Sequence, residues 1–261
     1  MKLHLRKLGE GRPLLILHGL FGSGDNWLGV AKKIAEHGYA CLLPDARNHG
    51  LSLHSETWDI PSMASDAAKL LEEQRIKGAI CLGHSMGGKV AMQCAFDRPD
   101  LIRALVIADV APRRYDMGSK FRTILETLEN VHPAECQDRR EADERLSALV
   151  PEKSLRDFLL KNLASSETGT GYQWKMNLNV ISRDLEKIGS PPKAEARFEG
   201  PSLFIYGEAS DYVRLEDQAA IRSHFPKSKI FGIPGAGHWL HAEAPEIFTR
   251  EVLRFLKSLP S

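Results

Sequence analysis

A chain of 261 residues, 43% of them hydrophobic, has enough apolar material for one well-packed core, so a single main domain is expected. Its 35 lysines and arginines nearly balance 34 aspartates and glutamates, which gives no electrostatic reason to expect nucleic acid, an anionic membrane or a polyanionic substrate as partner. The N-terminal run Met1-Lys2-Leu3-His4-Leu5-Arg6 interleaves charge with apolar residues, and no stretch approaches the roughly 18 apolar residues that span a bilayer, so neither a secretory leader nor a membrane span is expected.

In chain order, apolar runs at residues 3–8, 14–18, 40–44, 79–82, 104–108, 202–206 and 229–233 read as strands. Amphipathic stretches at 26–36, 63–74, 86–96, 217–224 and 245–259 read as helices between them. Continuous apolar strands alternating with helices predict a mainly parallel central sheet with helices on both faces. The alternation breaks after Asp109. Residues 113–197 are rich in charge and helix formers with no convincing strand, and the strand pattern resumes at Pro201. Residues 1–112 and 198–261 are therefore read as one α/β core and 113–197 as an inserted helical cap, because ligands of such sheets bind outside the carboxyl ends of the strands.

The most informative motif is Gly83-His84-Ser85-Met86-Gly87, which directly follows the apolar run Gly78-Ala79-Ile80-Cys81-Leu82 and opens the helix at 86–96. A strand turning so sharply into a helix holds the serine in a strained conformation and tolerates no bulk two residues to either side. Ser85 is the expected nucleophile. A serine hydroxyl is weakly nucleophilic near neutral pH and needs a base, and the base needs a group to orient it. His238, in Ile233-Pro234-Gly235-Ala236-Gly237-His238-Trp239, follows the last strand and precedes the last helix, where the order nucleophile, acid, histidine puts the base. The residue types leave two acids open: Asp109, at the end of the strand after the elbow, and Asp211, on the loop after Leu203-Phe204-Ile205-Tyr206-Gly207.

An oxyanion hole requires two backbone N–H groups, and Leu20, in His18-Gly19-Leu20-Phe21-Gly22, and Met86 are the expected donors. His18 is read as bracing that loop and His84 as elbow packing that points away from the site. His238 and His241 have metal-ligand spacing but no third ligand at a recognisable distance, so no metal and no cofactor is expected. The four cysteines (Cys41, Cys81, Cys94, Cys136) also lack ligand spacing and read as buried reduced thiols, in keeping with the cytoplasm.

Four segments together are specific: Leu17-His18-Gly19-Leu20-Phe21-Gly22-Ser23, Asp45-Ala46-Arg47-Asn48-His49-Gly50-Leu51-Ser52, Gly83-His84-Ser85-Met86-Gly87-Gly88-Lys89, and Gly235-Ala236-Gly237-His238-Trp239-Leu240-His241-Ala242-Glu243. They resemble the alpha/beta-hydrolase superfamily over nearly the whole chain, and within it the small YbfF-type esterases, which Trp174-Lys175-Met176-Asn177-Leu178 also resembles. The resemblance implies the alpha/beta-hydrolase fold and hydrolysis of short-chain carboxylic esters and, in some members, acyl-CoA thioesters. It also implies Asp109 as the acid, because Ser210 holds the superfamily's usual aspartate position and Asp211 falls one residue late.

The expected chemistry is acyl transfer to water, on a small-molecule ester or thioester, by a monomer or homodimer. Phe21, Trp174, Tyr212 and Trp239 are candidates to line an acyl pocket, and Arg113 and Arg114 either meet an acidic leaving group such as a CoA phosphate or form a solvated face. Serine in the elbow argues against the dehalogenases and epoxide hydrolases of this fold, which use aspartate there. A carbon-carbon bond hydrolase, a perhydrolase, or a ligand receptor with little turnover would keep the same serine and histidine.

Overall fold

Seven strands pair into one sheet: β1 (Leu5–Leu8), β2 (Arg12–Leu17), β3 (Tyr39–Pro44), β4 (Ala79–His84), β5 (Ile102–Ala108), a strand at Ser202–Gly207 and a strand at Ser228–Ile233. The computed structural model that gives this sheet describes residues 1–166 and 171–260. Only β1 runs antiparallel to its neighbour, β3; every other pairing is parallel. The period-2 alternation of side chains explains the two-sided core. Leu14, Ile16, Ile80, Leu82, Ala104 and Val106 pack with α1 (Leu28–Ala35) on one face. Leu15, Leu17, Cys81, Leu105 and Ile107 pack with α2 (Ile60–Glu73) and α3 (Met86–Asp97) on the other. Strands buried on both sides need no polar positions, and so they read as unbroken apolar runs.

Between β5 and the sixth strand of the sheet lie α4 (Ser119–Asn130), α5 (Arg139–Ser147), α6 (Lys153–Leu160), the hairpin β6 (Leu163–Ser165) and β7 (Tyr172–Trp174), and α7 (Leu178–Ile188). The hairpin corrects the strand-free reading of 113–197: Leu163 pairs Trp174 and Ser165 pairs Tyr172 in antiparallel register. Three-residue strands are too short to show a periodicity, and Leu163-Ala164-Ser165 contains no β-branched residue. The sheet then resumes as β8 (Ser202–Gly207) and, after α8 (Asp217–His224), β9 (Ser228–Ile233). The short α9 (Leu240–Glu243) and the long α10 (Pro245–Ser258) complete the chain, α10 burying Phe248, Val252 and Leu256 against the α1 side. Among the described residues, no helix is long and apolar enough to cross a membrane.

The strand order β1-β3-β2-β4-β5-β8-β9 puts the reversal of winding between β2 and β4. Loops leaving the carboxyl ends of two strands diverge at such a point and open a crevice. The loop after β2 carries Gly19 to Gly22, and the loop after β4 is the turn at Ser85.

Candidate active site

Ser85 joins β4 to α3 with φ 53° and ψ −117°, a strained conformation for a residue with a side chain. Steric crowding explains its glycine neighbours. A Cβ on Gly83 would stand 2.2 Å from the Gly87 carbonyl oxygen, and one on Gly87 would stand 2.3 Å from that of Leu17. The turn is held by the Ser85 N–H, which donates to Ala108 O at 3.0 Å, at the end of β5.

The loop after β9 brings His238 to this serine. Its Nε2 lies 3.1 Å from Ser85 Oγ, and its Nδ1 lies 2.7 Å from Asp109 Oδ2. A carboxylate only accepts, so Nδ1 carries the ring proton and Nε2 is left to accept from the Ser85 hydroxyl. Asp109 is fully buried, with φ 48° at the turn out of β5. Its Oδ1 accepts from Gly207 N–H at 3.1 Å, and its Oδ2 accepts a second bond from Ser210 Oγ–H at 2.5 Å. Asp211 is exposed, and the bonds at that residue reach its backbone carbonyl, from Arg113 and Arg214. The structure thus brings Asp109 to His238 and leaves Asp211 at the surface.

Three further groups brace His238 and Asp109, and none was assigned that role from sequence. His84 donates from Nε2 to the His238 carbonyl at 2.8 Å, with the two rings 4.8 Å apart, so it faces the site rather than pointing away from it. Burial, helped by the neighbouring His241 and His238, holds the His84 pKa well below the usual histidine range, which keeps this ring neutral. Tyr212 stacks on the His238 ring at 3.8 Å. Ser210 receives Tyr212 N–H on its Oγ at 3.2 Å, which directs its own hydroxyl hydrogen to Asp109. Ser210→Ala is expected to lower kcat about tenfold with KM unchanged, the scale of one hydrogen bond to a charged group. An unchanged kcat would show that Gly207 and His238 orient Asp109 without it.

Leu20 and Met86 flank Ser85 from the β2 loop and the first turn of α3, and no acceptor among the described residues engages either N–H. The β2 loop is stiffened by Gly22 N–H donating to Gly19 O at 3.0 Å and by His18. His18 Nε2 accepts from Ala46 N–H at 2.9 Å, so Nδ1 is the protonated nitrogen that donates to Gly19 O at 2.8 Å. With both nitrogens used, His18 is a brace. His241 stacks on Trp27 at 4.3 Å and sets its ring 4.7 Å from that of His84, with its pKa pushed down to about 3 by burial.

A cleft of about 100 Å³ opens beside Ser85 and His238. Phe21, Tyr212 and Trp239 line it as expected, joined by Phe121, Ile124, Leu155 and Phe158 from the segment between β5 and β8. Trp174 does not reach the cleft: its indole Nε1–H donates to Leu128 O at 2.9 Å, which ties β7 to α4. An indole N–H that is partly buried needs such a partner. Arg113 is half-buried and committed within the protein, since it pairs with Asp217 at 3.0 Å and lies 4.0 Å over the Tyr115 ring; Arg114 is exposed.

The sheet order, the strained serine between glycines and the histidine on the last loop coincide with a match of residues 12–245 to the model of the alpha/beta hydrolase fold family. The chain belongs to that family. Among curated alpha/beta hydrolases, it is 39% identical over 254 residues to the "sn-1-specific diacylglycerol lipase ABHD11" of Danio rerio, covering 95% of this chain and 80% of the relative. It is 33% identical over 261 residues to "Esterase YbfF" of Escherichia coli (strain K12), covering 98% and 99% of the two chains. The solved structure titled "Marine microorganism esterase" superposes with a TM-score of 0.94 at 40% identity, covering 97% of this chain and 99% of that one. The "Crystal Structure of E-2-(Acetamidomethylene)succinate Hydrolase", with a TM-score of 0.81 at 22% identity, shares the alpha/beta-hydrolase fold; it covers 98% of this chain and 95% of its own.

Proposed function

We propose that this alpha/beta hydrolase cleaves carboxylic esters with short acyl chains through an acyl-enzyme on Ser85, with His238 as base and Asp109 as acid. At the coarser level the chain is a carboxylic ester hydrolase of its family, as its esterase and lipase relatives are named. The observation that carries the reading is the continuous hydrogen-bonded line from Ser85 through His238 to the buried Asp109, opening onto an apolar cleft. Ser85 Oγ attacks the ester carbonyl as its proton passes to His238 Nε2, and the Leu20 and Met86 N–H groups stabilise the oxyanion. The alcohol departs with the proton from His238. Water then attacks the acyl-enzyme by the same path, which releases the acid and restores Ser85. Asp109 holds the imidazolium that forms in each half.

Residues 113–197 act in this reading as a cap, since Phe121, Ile124, Leu155 and Phe158 contribute the outer wall of the cleft. The wall limits the acyl group. An engineered cavity of about 150 Å³ admits benzene, so the cleft of about 100 Å³ suits acetyl to butyryl groups better than long chains. This favours an esterase over the diacylglycerol activity named for the Danio rerio relative. Thioesters of the same short acids fit the same chemistry, although Arg113 is committed to Asp217 and supplies no anchor for a CoA phosphate. Four free buried cysteines suit a reducing, cytoplasmic location.

Initial rates on p-nitrophenyl esters from acetate to dodecanoate test the assignment. The expected kcat/KM is greatest at two to four acyl carbons and falls about tenfold or more by eight, as the strain of forcing extra methylenes against a packed wall would require. A maximum at long chains would overturn the short-acyl reading.

A further inference from the structure

A lysine is almost never fully buried without a carboxylate beside it, because an ammonium loses several kcal/mol of hydration unless its donors are matched. Lys89 is buried, and among the described residues its ammonium pairs with no carboxylate; it meets three carbonyl oxygens and the face of the Tyr115 ring. Nζ donates to Arg113 O at 3.0 Å, Gly189 O at 2.8 Å and Ser190 O at 2.7 Å. Arg113 lies where the chain leaves β5 for the insertion, and Gly189 and Ser190 lie where it returns after α7. One ammonium therefore ties both ends of the insertion to α3, a single turn after Ser85, whose carbonyl accepts from the Lys89 N–H at 3.1 Å. The two ends also bond each other, with Tyr115 N–H donating to Gly189 O at 2.9 Å. Only glycine permits this approach, as a Cβ at residue 189 would stand 2.3 Å from Tyr115 O.

We propose that Lys89 is a positioning residue: its ammonium sets how closely the insertion is drawn down over Ser85, and thereby the length of acyl group the cleft accepts. The proposal rests on the reading of Ser85 as nucleophile and of 113–197 as cap. Phe121, Ile124, Leu155 and Phe158 are borne on elements strung between the two tethered ends. Lys89 and Tyr115 also border a second gap, of about 20 Å³, that meets Ser85 beside Met86. A shift of the tethered ends thus reaches a gap that Ser85 itself borders.

The tether depends on charge. An ammonium supplies three donors and a neutral amine two, so deprotonation leaves one of the three carbonyls without its bond. The charged and titratable groups facing Lys89 from the chain after β5 are Arg113, paired with Asp217 of α8, the exposed Arg114, and the Tyr115 phenol, whose ring lies 4.9 Å from Nζ. From the end of α7 it meets the backbone carbonyls of Gly189 and Ser190. Burial, then repulsion from Arg113 and Arg114, pushes the Lys89 pKa down to about 7. The sign follows: the three-point tether is complete below about pH 7 and loses a bond above it.

The test measures kcat/KM for p-nitrophenyl acetate and octanoate at pH 6 and pH 9 in the wild type, Lys89→Met and Lys89→Arg. Both esters use the same base, so the ratio of the two rates cancels its titration. In the wild type, the preference for acetate is expected to fall about fivefold from pH 6 to pH 9, the scale of one hydrogen bond. Lys89→Met is expected to show the lowered preference at both pH values, and Lys89→Arg, charged throughout, to hold one preference across the range. A wild-type preference that does not change with pH overturns the proposal, whether or not Lys89→Met folds. A folded Lys89→Met with the wild-type preference overturns it equally. Fluorophosphonate labelling of Ser85 in the same samples separates the two levels: failure to label the wild type would overturn the nucleophile reading itself.

Discussion

Ser85→Ala is expected to lower kcat on p-nitrophenyl acetate by about 10⁵- to 10⁶-fold, the scale seen when the nucleophile of a serine hydrolase is removed. The fold should survive the change. Alanine adds no atom to the crowded turn, and the backbone bonds that hold it, Ser85 N–H to Ala108 O at 3.0 Å and Lys89 N–H to Ser85 O at 3.1 Å, do not involve the hydroxyl. Residual turnover comes from the Leu20 and Met86 N–H groups and from His238 acting on water. Steady-state kinetics beside a circular-dichroism melt separates loss of chemistry from loss of structure. A loss smaller than about 100-fold in a folded variant would show that acyl transfer does not pass through this oxygen.

The second large effect separates the two aspartates. Asp109→Asn is expected to cost about 10⁴-fold in kcat, while Asp211→Asn stays within about twofold of the wild type. Hydrogen-bond direction sets the difference. Asp109 accepts from Gly207 N–H on one oxygen and from His238 and Ser210 on the other. An asparagine that keeps its oxygen toward His238 turns its NH₂ against the Gly207 N–H. One that flips presents NH₂ to His238 Nδ1, which forces the ring proton onto Nε2 and removes the acceptor that Ser85 needs. Asp211 is exposed and its carboxylate has no part in this line. Equal losses in the two variants would contradict the choice of acid.

Much of this was legible in the sequence, for identifiable reasons. The central strands β2 to β5 and β8 are legible because a parallel sheet covered on both faces leaves mostly apolar runs, whereas the antiparallel edge strand β1 keeps Arg6 and Lys7 exposed; the turn at Ser85 is legible because its glycines answer a steric demand within five residues. The acid was not decided by residue type: Asp109 directly after β5 and Asp211 on the loop after β8 both follow strands near the site, and only the resemblance to the YbfF-type esterases favoured the one that the structure puts against His238. Trp174 was misplaced because an aromatic in an inserted segment reveals nothing of which way it turns, and its indole N–H found Leu128 O instead of the cleft. Lys89 escaped notice for a related reason. A lysine in a helix reads as a solvated charge, and its three carbonyl partners come from positions 24 to 101 residues away. Contacts between distant elements, rather than local pattern, set these side chains.

The most direct measurement of the central claim is the site of reaction with a fluorophosphonate, located by peptide mass spectrometry. A single adduct on the peptide containing Ser85, absent from Ser85→Ala and formed at least about 100-fold more slowly in His238→Ala, is the predicted result. A folded protein that remains unlabelled, or one labelled at another serine, would contradict an activated nucleophile at the turn between β4 and α3.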